Sequence, residues 1–364
     1  MTRGEGTAYP SLHISDSPEF LNLKLISARL GADPEQVQAG GGNTSLKLGD
    51  RLIIKASGKQ LRNALEEDIF LTVSTADICS ELETSGVDDN ELRVRTLDSH
   101  GLPSFLRPSI ETTFHAVLSA PVVLHTHSTS VLAYAILQNG AELITTRLAG
   151  LPWTWIPYAK PGPRLARQIA TRVQNGNLRV FILANHGVVV TGNNVAEAAS
   201  LLDEVERRLQ PTTFRAARPA NLDVLSRVAQ RLGKLYQPAG DPTWHLLGVD
   251  PTLFEMVTSG SLYPDHVVFL GPAISFVHSE EASMAFNRSP LAMVSEPLVL
   301  LVAGAGCLAK ADLRSSPSAL MACLASVARK VLLNQPVNYL STADEAELLS
   351  WDAEQYRQKM AGGK

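Results

Sequence analysis

The sequence predicts a mixed α/β fold, in which a largely antiparallel central sheet carries helices on both faces and a smaller C-terminal α/β domain follows. Three observations lead to this prediction. Strand-like and helical segments alternate irregularly along the 364 residues. Several short strands are joined by tight turns, which pair neighbouring strands in the antiparallel sense. A stretch rich in Pro, Thr and Ala at 211–222 divides the chain.

This division sets the predicted domain boundaries. Residues 1–18 are polar and contain Gly and Pro, and we predict a tail there. Residues 19–215 are predicted to form the first domain and residues 222–364 the second. Two domains suit the length, because single cores stop growing beyond about 250–300 residues.

The first domain contains several segments with clear signals. We predict a helix over 19–30, a hairpin of strands over 45–48 and 51–56, a buried strand over 121–127, and two strands flanking 185–187. Ser109 follows Pro108 and is predicted to cap a helix that runs to about Ser119.

The second domain is predicted to contain four strands followed by two helices. The predicted strands cover 266–270, 273–277, 298–303 and 307–310, and the helices cover 317–334 and 342–360.

The composition excludes several classes of protein. The formal net charge is −4 and the longest basic run is Arg207-Arg208, so we expect no nucleic-acid or anionic-membrane partner. The apolar runs are too short to cross a bilayer, and the N-terminus lacks the apolar segment of a signal peptide. Three widely spaced cysteines without a CxxC motif are typical of a reducing compartment. We therefore predict a cytoplasmic protein.

A histidine pair is the first candidate for a functional site. His125 and His127 stand two apart in the predicted strand VVLHTH, so their side chains share one face. Imidazole is a preferred ligand of zinc, and a catalytic zinc commonly has three protein ligands and one open position. His186, followed by the permissive Gly187, is the candidate third ligand. Taken alone, the pair fits a metal site and buried structural histidines equally well.

A carboxylate and two glycine-containing loops are further candidates. Glu111 lies in the first turn of the predicted Ser109 helix, where it either offsets the helix dipole or serves as a general acid/base beside a metal. The segments 40–45 (GGGNTS) and 57–58 (Ser-Gly) can bind an oxyanion through backbone N–H groups. Neither has P-loop spacing, and taken alone both are explained more simply as hairpin turns.

Five motifs in this order resemble the class II aldolase/adducin family. They are GGGNTS (40–45), KASG (55–58), PSIETTFH (108–115), VVLHTHS (122–128) and ANHGVVVTG (184–192). The resemblance covers roughly residues 20–215. The region beyond it resembles, more weakly, the aldolase part of rhamnulose-1-phosphate aldolase/dehydrogenase fusions, through residues 263–266 and the final helices.

The resemblance implies a function and assigns roles to residues. It implies retro-aldol cleavage of a phosphorylated ketose through a metal-stabilised enediolate, in a homo-oligomer that is commonly a tetramer. The partner would be a small phosphorylated sugar, and the cofactor a divalent ion with zinc as the first candidate. The implied roles are metal ligand for His125, His127 and His186, catalytic acid/base for Glu111, and phosphate binding for Asn43, Ser57, Gly58 and Ser109.

Departures from the family pattern leave alternatives open. Gly40 and Ile110 stand where hydroxyl residues of the phosphate pocket can occur, and residues 138–150 lack the proton-donor tyrosine of fuculose-phosphate-type aldolases. Decarboxylation of a 3-oxo sugar acid phosphate and sugar-phosphate 4-epimerisation are therefore alternatives, although the epimerases usually have Asp in place of Glu111. The alternative from another class is a non-catalytic, adducin-like binding module, but such modules tend to lose the metal ligands that this sequence keeps.

Overall fold

The computed structural model describes most of the chain. It covers residues 17–84, 86, 94–103, 105–174, 176–212, 214–216, 218–233, 235–278, 296–332 and 334–361. The predicted tail over 1–18 lies outside the described residues except for its last two positions.

An eight-stranded sheet forms the centre of the N-terminal part. Its strands follow the order β4-β3-β2-β1-β5-β8-β7-β6, and every neighbouring pair is antiparallel except β6 and β7. The strands are β1 (Asn43–Leu48), β2 (Arg51–Lys55), β3 (Phe70–Ser74), β4 (Thr96–Asp98), β5 (Val122–Thr126), β6 (Trp153–Ile156), β7 (Val180–Leu183) and β8 (Gly187–Gly192). The predicted hairpin is confirmed as β1 and β2, and β5 lies in the middle of the sheet.

Helices cover both faces of this sheet, as predicted. They are α1 (Pro18–Ala32), α2 (Thr75–Thr84), α3 (Thr112–Val117), α4 (Thr129–Ala135), α5 (Gly140–Thr145), α6 (Pro163–Val173) and α7 (Val195–Leu209). Alternate residues of β5 face opposite ways. Leu124 packs in the cluster that includes α1 and α7, whereas Val123 packs with Phe114 and the apolar face of α6. The sheet is therefore buried on both sides, which fits its nearly continuous apolar strands.

A second, smaller sheet follows in the C-terminal part. Its order is β10-β11-β12-β9, with strands β9 (Tyr236–Pro238), β10 (Ser275–Val277), β11 (Val299–Val302) and β12 (Gly306–Lys310). The helices here are α8 (Leu222–Arg231), α9 (Pro242–Val249), α10 (Pro251–Thr258), α11 (Pro264–Leu270), α12 (Ser315–Lys330), α13 (Thr342–Ser350) and α14 (Asp352–Ala361). Across the helices that the structure describes, none has the length and apolar character needed to cross a membrane.

The predicted strand over 266–270 is wrong, because this segment is helix α11. Tyr263 occupies the N-cap position and Pro264 the first helical position, which suits proline because that N–H has no helical partner. Pro264 and the five residues after it are all buried, so the apolar run has no amphipathic period that would distinguish a helix from a strand. The single helix predicted over 342–360 is also wrong, because Trp351 is extended and separates α13 from α14.

The helix that Ser109 is predicted to cap begins two residues later than predicted. Glu111 occupies the N-cap position of α3, and Thr112 is the first helical residue. Ser109 stays outside because its backbone N–H donates to the carbonyl of Lys55 at 3.2 Å, beside a bridge between Ala56 and Pro108. Pairing with the end of β2 therefore holds this loop extended and delays the helix.

One hydrophobic core joins the two parts of the chain. Leu132, Ile136 and Leu137, in and just after α4, belong to the same buried cluster as residues of α9 to α13. Glu35 of the N-terminal part also contacts Lys330 of α12. The domain boundaries at 215 and 222 remain predictions. The hydrophobic core contains residues from both sides of them.

Candidate metal centre

Strand β5 brings His125 and His127 to one point. His125 is the last residue but one of the strand and His127 follows its end, so the alternation of side chains directs both rings the same way. The ring centroids are 4.9 Å apart, and the two Nε2 atoms lie 3.1 Å apart. Both side chains are buried.

The turn between β7 and β8 brings His186 to the same point. Asn185 has φ of 54° and Gly187 has φ of 151°, so the backbone turns sharply on both sides of the histidine. A Cβ atom on Gly187 would lie 2.3 Å from the carbonyl oxygen of Thr126, which only glycine avoids. The His186 ring consequently lies 4.9 Å from that of His125 and 5.1 Å from that of His127.

Glu111 closes the cluster from the start of α3. Its Oε1 lies 2.9 Å from Nε2 of His186 and 3.5 Å from Nε2 of His125, and its Oε2 accepts a hydrogen bond from the amide of Asn43. Its side chain makes no capping bond to the helix, and it is buried. Its contacts are therefore those of a site residue rather than of a carboxylate that offsets the helix dipole.

The four residues form a donor set that fits a divalent cation. One ligand atom from each of Glu111, His125, His127 and His186 lies within 4.8 Å of the others. Nδ1 of His125 donates to the carbonyl of Val188 at 2.9 Å, and Nδ1 of His127 donates to a carboxylate at 3.0 Å. Both rings thus carry their proton on Nδ1, and their Nε2 lone pairs face each other. A cation bound by both nitrogens would relieve the repulsion between these lone pairs.

The electrostatics of the site favour metal binding and keep Glu111 ionised. Burial lowers the pKa of His186 to about 4, against the opposing effect of the Glu111 carboxylate, so the imidazole is neutral at pH 7 and able to act as a ligand. Burial by itself raises the pKa of Glu111, but His125 and His186 outweigh it and hold that pKa well below its usual range. Glu111 is therefore ionised and able to accept a proton.

The carboxylate that holds His127 belongs to Asp265, a residue that sequence reasoning missed. Asp265 lies in the first turn of α11, 138 positions from the histidine, and Oδ2 accepts the bond from Nδ1 at 3.0 Å. The segment 263–266 was part of the weaker resemblance, but nothing in it indicated a contact with the histidine pair.

Three of the predicted phosphate-binding residues lie on two adjoining loops, and Asn43 follows the glycine-rich loop as the first residue of β1. Ser57 donates its backbone N–H to the carbonyl of Arg107 at 2.8 Å, which joins the Ser57-Gly58 loop to the loop of Ser109. Gly58 has φ of 78°, and its backbone packs against Gly40, where a Cβ atom would lie 3.7 Å from it. These contacts bring Ser57, Gly58 and Ser109 close to the glycine-rich loop.

Two side chains connect these loops to each other and to the cluster. Asn43 donates to Glu111, and its Oδ1 is buried without a hydrogen-bond partner in the structure. Nζ of Lys55 donates to the carbonyls of Gly40 at 2.7 Å and Lys59 at 2.8 Å. Lys55 was also missed by sequence reasoning, although a lysine at the end of the apolar strand Leu52-Ile53-Ile54 was a signal for a buried, hydrogen-bonded amine.

All three cysteines are unpaired, as their spacing predicted. Cys307 and Cys323 are buried, and Cys79 is half-buried. Burial raises the pKa of Cys323 to about 12, so it is protonated and unreactive at neutral pH. These thiols behave as small hydrophobic side chains.

Comparison with known proteins identifies the family. The family described as "Class II Aldolase and Adducin N-terminal domain" matches residues 26–212. Over 298 residues the chain is 27% identical to the uncharacterised oxidoreductase YuxG of Bacillus subtilis (strain 168), a match that covers 74% of this chain and 40% of that protein. The chain thus spans less than half the length of this relative.

Two shorter relatives each match about half of the chain. A 3-oxo-tetronate 4-phosphate decarboxylase of Haemophilus influenzae is 29% identical over 186 residues, which cover 46% of this chain and 74% of that protein. A methylthioribulose-1-phosphate dehydratase of Yersinia enterocolitica is 29% identical over 205 residues, which cover 49% of this chain and 87% of that protein. With the family match over more than half of its length, the chain belongs to the class II aldolase and adducin family.

Proposed function

We propose that this protein is a metal-dependent carbon–carbon lyase that cleaves a phosphorylated ketose by retro-aldol chemistry. The observation that carries the proposal is the position of Glu111, whose Oε1 lies 2.9 Å and 3.5 Å from two of the nitrogens that would bind the ion. An ionised carboxylate at this distance can exchange a proton with a carbon atom of a substrate held at the ion.

The proposed ion is zinc, held by His125, His127 and His186. Three imidazoles with a nearby carboxylate are a common donor set for a catalytic zinc. Such an ion would supply Lewis-acid stabilisation of the negative charge that develops on substrate oxygens when a carbanion forms next to a ketone. A non-catalytic binding module has no need of a buried carboxylate beside these histidines, so the cluster supports an enzyme.

The residues of this chain then perform a defined proton transfer. In the cleavage direction, the bond breaks between the carbon next to the ketone and the carbon that bears a hydroxyl. The hydroxyl proton passes to water and its carbon becomes an aldehyde, while the electron pair of the bond remains on the carbon next to the ketone. Glu111, which is ionised in the free site, takes up a proton from water and delivers it to this carbon, and in the reverse direction it removes the same proton.

The adjoining loops would hold the phosphate group. Backbone N–H groups near Ser57, Gly58 and Ser109, together with the side chain of Asn43, are the proposed donors. Lys55 ties two of these loops together through its bonds to the carbonyls of Gly40 and Lys59. A loop pocket of this kind fits the phosphorylated substrates in the names of the two shorter relatives. The homo-oligomer remains a prediction.

Decarboxylation of a 3-oxo sugar acid phosphate is the second candidate. Residues 138–150 contain no tyrosine that could accept the hydroxyl proton of a retro-aldol substrate. In a decarboxylation the carboxylate carbon leaves as carbon dioxide, so no hydroxyl needs to be deprotonated. Glu111 alone would then suffice, because its only task is to take up a proton from water and deliver it to the carbon that keeps the electron pair.

A product assay distinguishes the two candidates. The zinc-loaded protein would be incubated with a set of ketose 1-phosphates and, separately, with 3-oxo sugar acid 4-phosphates. Release of dihydroxyacetone phosphate and an aldehyde supports the aldolase, and release of carbon dioxide supports the decarboxylase. The metal-free protein and the variant His127→Ala serve as controls. Failure of the loaded protein to act on either set would contradict the proposal.

A further inference from the structure

Asp265 is a buried carboxylate whose position the proposed reaction does not explain. Only 3% of the residue is exposed. A buried carboxylate costs stability unless hydrogen bonds compensate it. Its place in the first turn of α11 offers a partial explanation, because a negative charge there offsets the helix dipole. That role does not require the side chain to reach the histidine pair.

The contact of Asp265 with His127 determines how the ring is oriented. Oδ2 accepts from Nδ1 at 3.0 Å, and Nε2 of the same ring lies 3.1 Å from Nε2 of His125. Because one ring nitrogen is held by the carboxylate, the other keeps its lone pair and is directed into the cluster. A carboxylate behind a ligating histidine also raises the basicity of that ligand.

A second set of contacts from the C-terminal part supports His186 indirectly, through the preceding residue, Asn185. Nδ2 of Asn185 donates to the carbonyls of Leu262 at 2.8 Å and Asn338 at 2.6 Å, and Nδ2 of Asn338 donates back to Oδ1 of Asn185 at 2.8 Å. Asn185 has a positive φ, which favours asparagine but still needs support from its surroundings. The C-terminal part therefore braces two of the three histidines.

We propose that Asp265 is a positioning residue for the metal ligand His127, and that through it the C-terminal part of the chain sets the affinity of the metal centre. The inference rests on the proposed metal site. It does not depend on which reaction the site catalyses, because its test measures metal binding.

The test compares two buried aspartates in the same part of the chain. Asp265→Asn keeps the size of the side chain but removes its charge. We expect the dissociation constant for Zn²⁺, measured by competition with a chromophoric chelator, to rise about 10–100-fold. The matched control is Asp250→Asn. Asp250 is similarly buried, caps α10 and pairs with Arg215 at 2.9 Å, so its loss affects stability without reaching the histidines.

The outcomes separate this inference from the proposed function. If the wild type binds no Zn²⁺, the proposed metal site is wrong. If the wild type binds Zn²⁺ and Asp265→Asn binds it equally tightly, or no more weakly than Asp250→Asn, the positioning role is wrong.

A measurement on the wild type covers the case in which the Asp265→Asn variant does not fold. Nitrogen-15 NMR of the metal-free wild type should show the His127 ring protonated on Nδ1. A ring protonated on Nε2 alone would overturn the inference.

Discussion

Replacing Glu111 with glutamine separates the chemistry of the site from its metal binding. The change keeps the size of the side chain but removes its ability to accept a proton. General-base removal typically lowers a rate by about 10²–10⁴, which corresponds to roughly 3–5 kcal/mol in the activation barrier. The three imidazoles remain, so we expect the bound ion to remain as well.

The contacts of Glu111 also set the expected effect on stability. In the variant, the amide oxygen can still accept from Asn43, while Nε2 of His186 is directed at the ion in the metal-loaded protein. The hydrogen bond from Asn43 is thus kept, and we expect the free energy of unfolding of the metal-loaded variant to change by less than about 1 kcal/mol. Glu111→Ala is the contrast, because it leaves the Asn43 amide buried without an acceptor, at a cost of about 1–3 kcal/mol.

The assay follows exchange of the carbon-bound proton of dihydroxyacetone phosphate with deuterated water. Metal content and melting temperature are measured on the same samples. We expect the exchange rate of Glu111→Gln to fall by at least about 100-fold, with the ion in place and the melting temperature nearly unchanged. Exchange at the wild-type rate in a metal-loaded variant would refute the assignment of Glu111 as the acid/base.

Three further predictions concern the metal ligands, the phosphate site and the buried His266. Metal analysis should find about one divalent ion per chain in the wild type and almost none in His127→Ala, because two neutral imidazoles hold a catalytic ion poorly; an equal content in both would contradict the ligand set. Inorganic phosphate should compete with substrate, and Asn43→Ala should weaken that competition; equal inhibition of both proteins would remove Asn43 from the phosphate site. Burial lowers the pKa of His266 to about 3, whereas this group has a pKa of about 6.5 in the unfolded chain. As the pH falls from 8 to 5, the unfolded chain therefore binds a proton that the folded chain does not, and the free energy of unfolding should decrease by about 2 kcal/mol through this residue. Denaturant titrations of His266→Asn should show a free energy of unfolding that decreases less between pH 8 and pH 5 than that of the wild type. An equal decrease in both proteins would contradict this role of His266.

Local patterns were enough to predict that the two histidines at the end of β5 lie together, although their role as metal ligands remains a prediction. Because side chains alternate along a strand, the spacing of His125 and His127 placed both rings on one face, and the structure has them there. His186 and Glu111 were candidates from their positions beside Gly187 and in a first helical turn, but only the resemblance carried by the five motifs favoured a site role over an ordinary buried or helix-capping one.

Contacts between distant segments could not be predicted in this way. Asp265 contacts His127 across 138 positions, and it lies in a segment whose uniform burial removes the periodicity that distinguishes a helix from a strand. The start of α3 was misplaced for a similar reason. The hydrogen bond from Ser109 to Lys55 belongs to a pairing between this loop and the end of β2, and no capping signal in the sequence indicates it.

The hydrophobic core that joins the two parts of the chain has a consequence during synthesis. Leu137, just after α4, packs in one cluster with Ala328 near the end of α12. At about 5–20 residues per second, a ribosome needs roughly 10–40 s to make the chain between them. During that interval α4, which begins two residues after His127, lacks the part of its packing that α12 supplies. We therefore expect the nascent chain to need protection from aggregation, and the metal centre to mature only after α12 has been made.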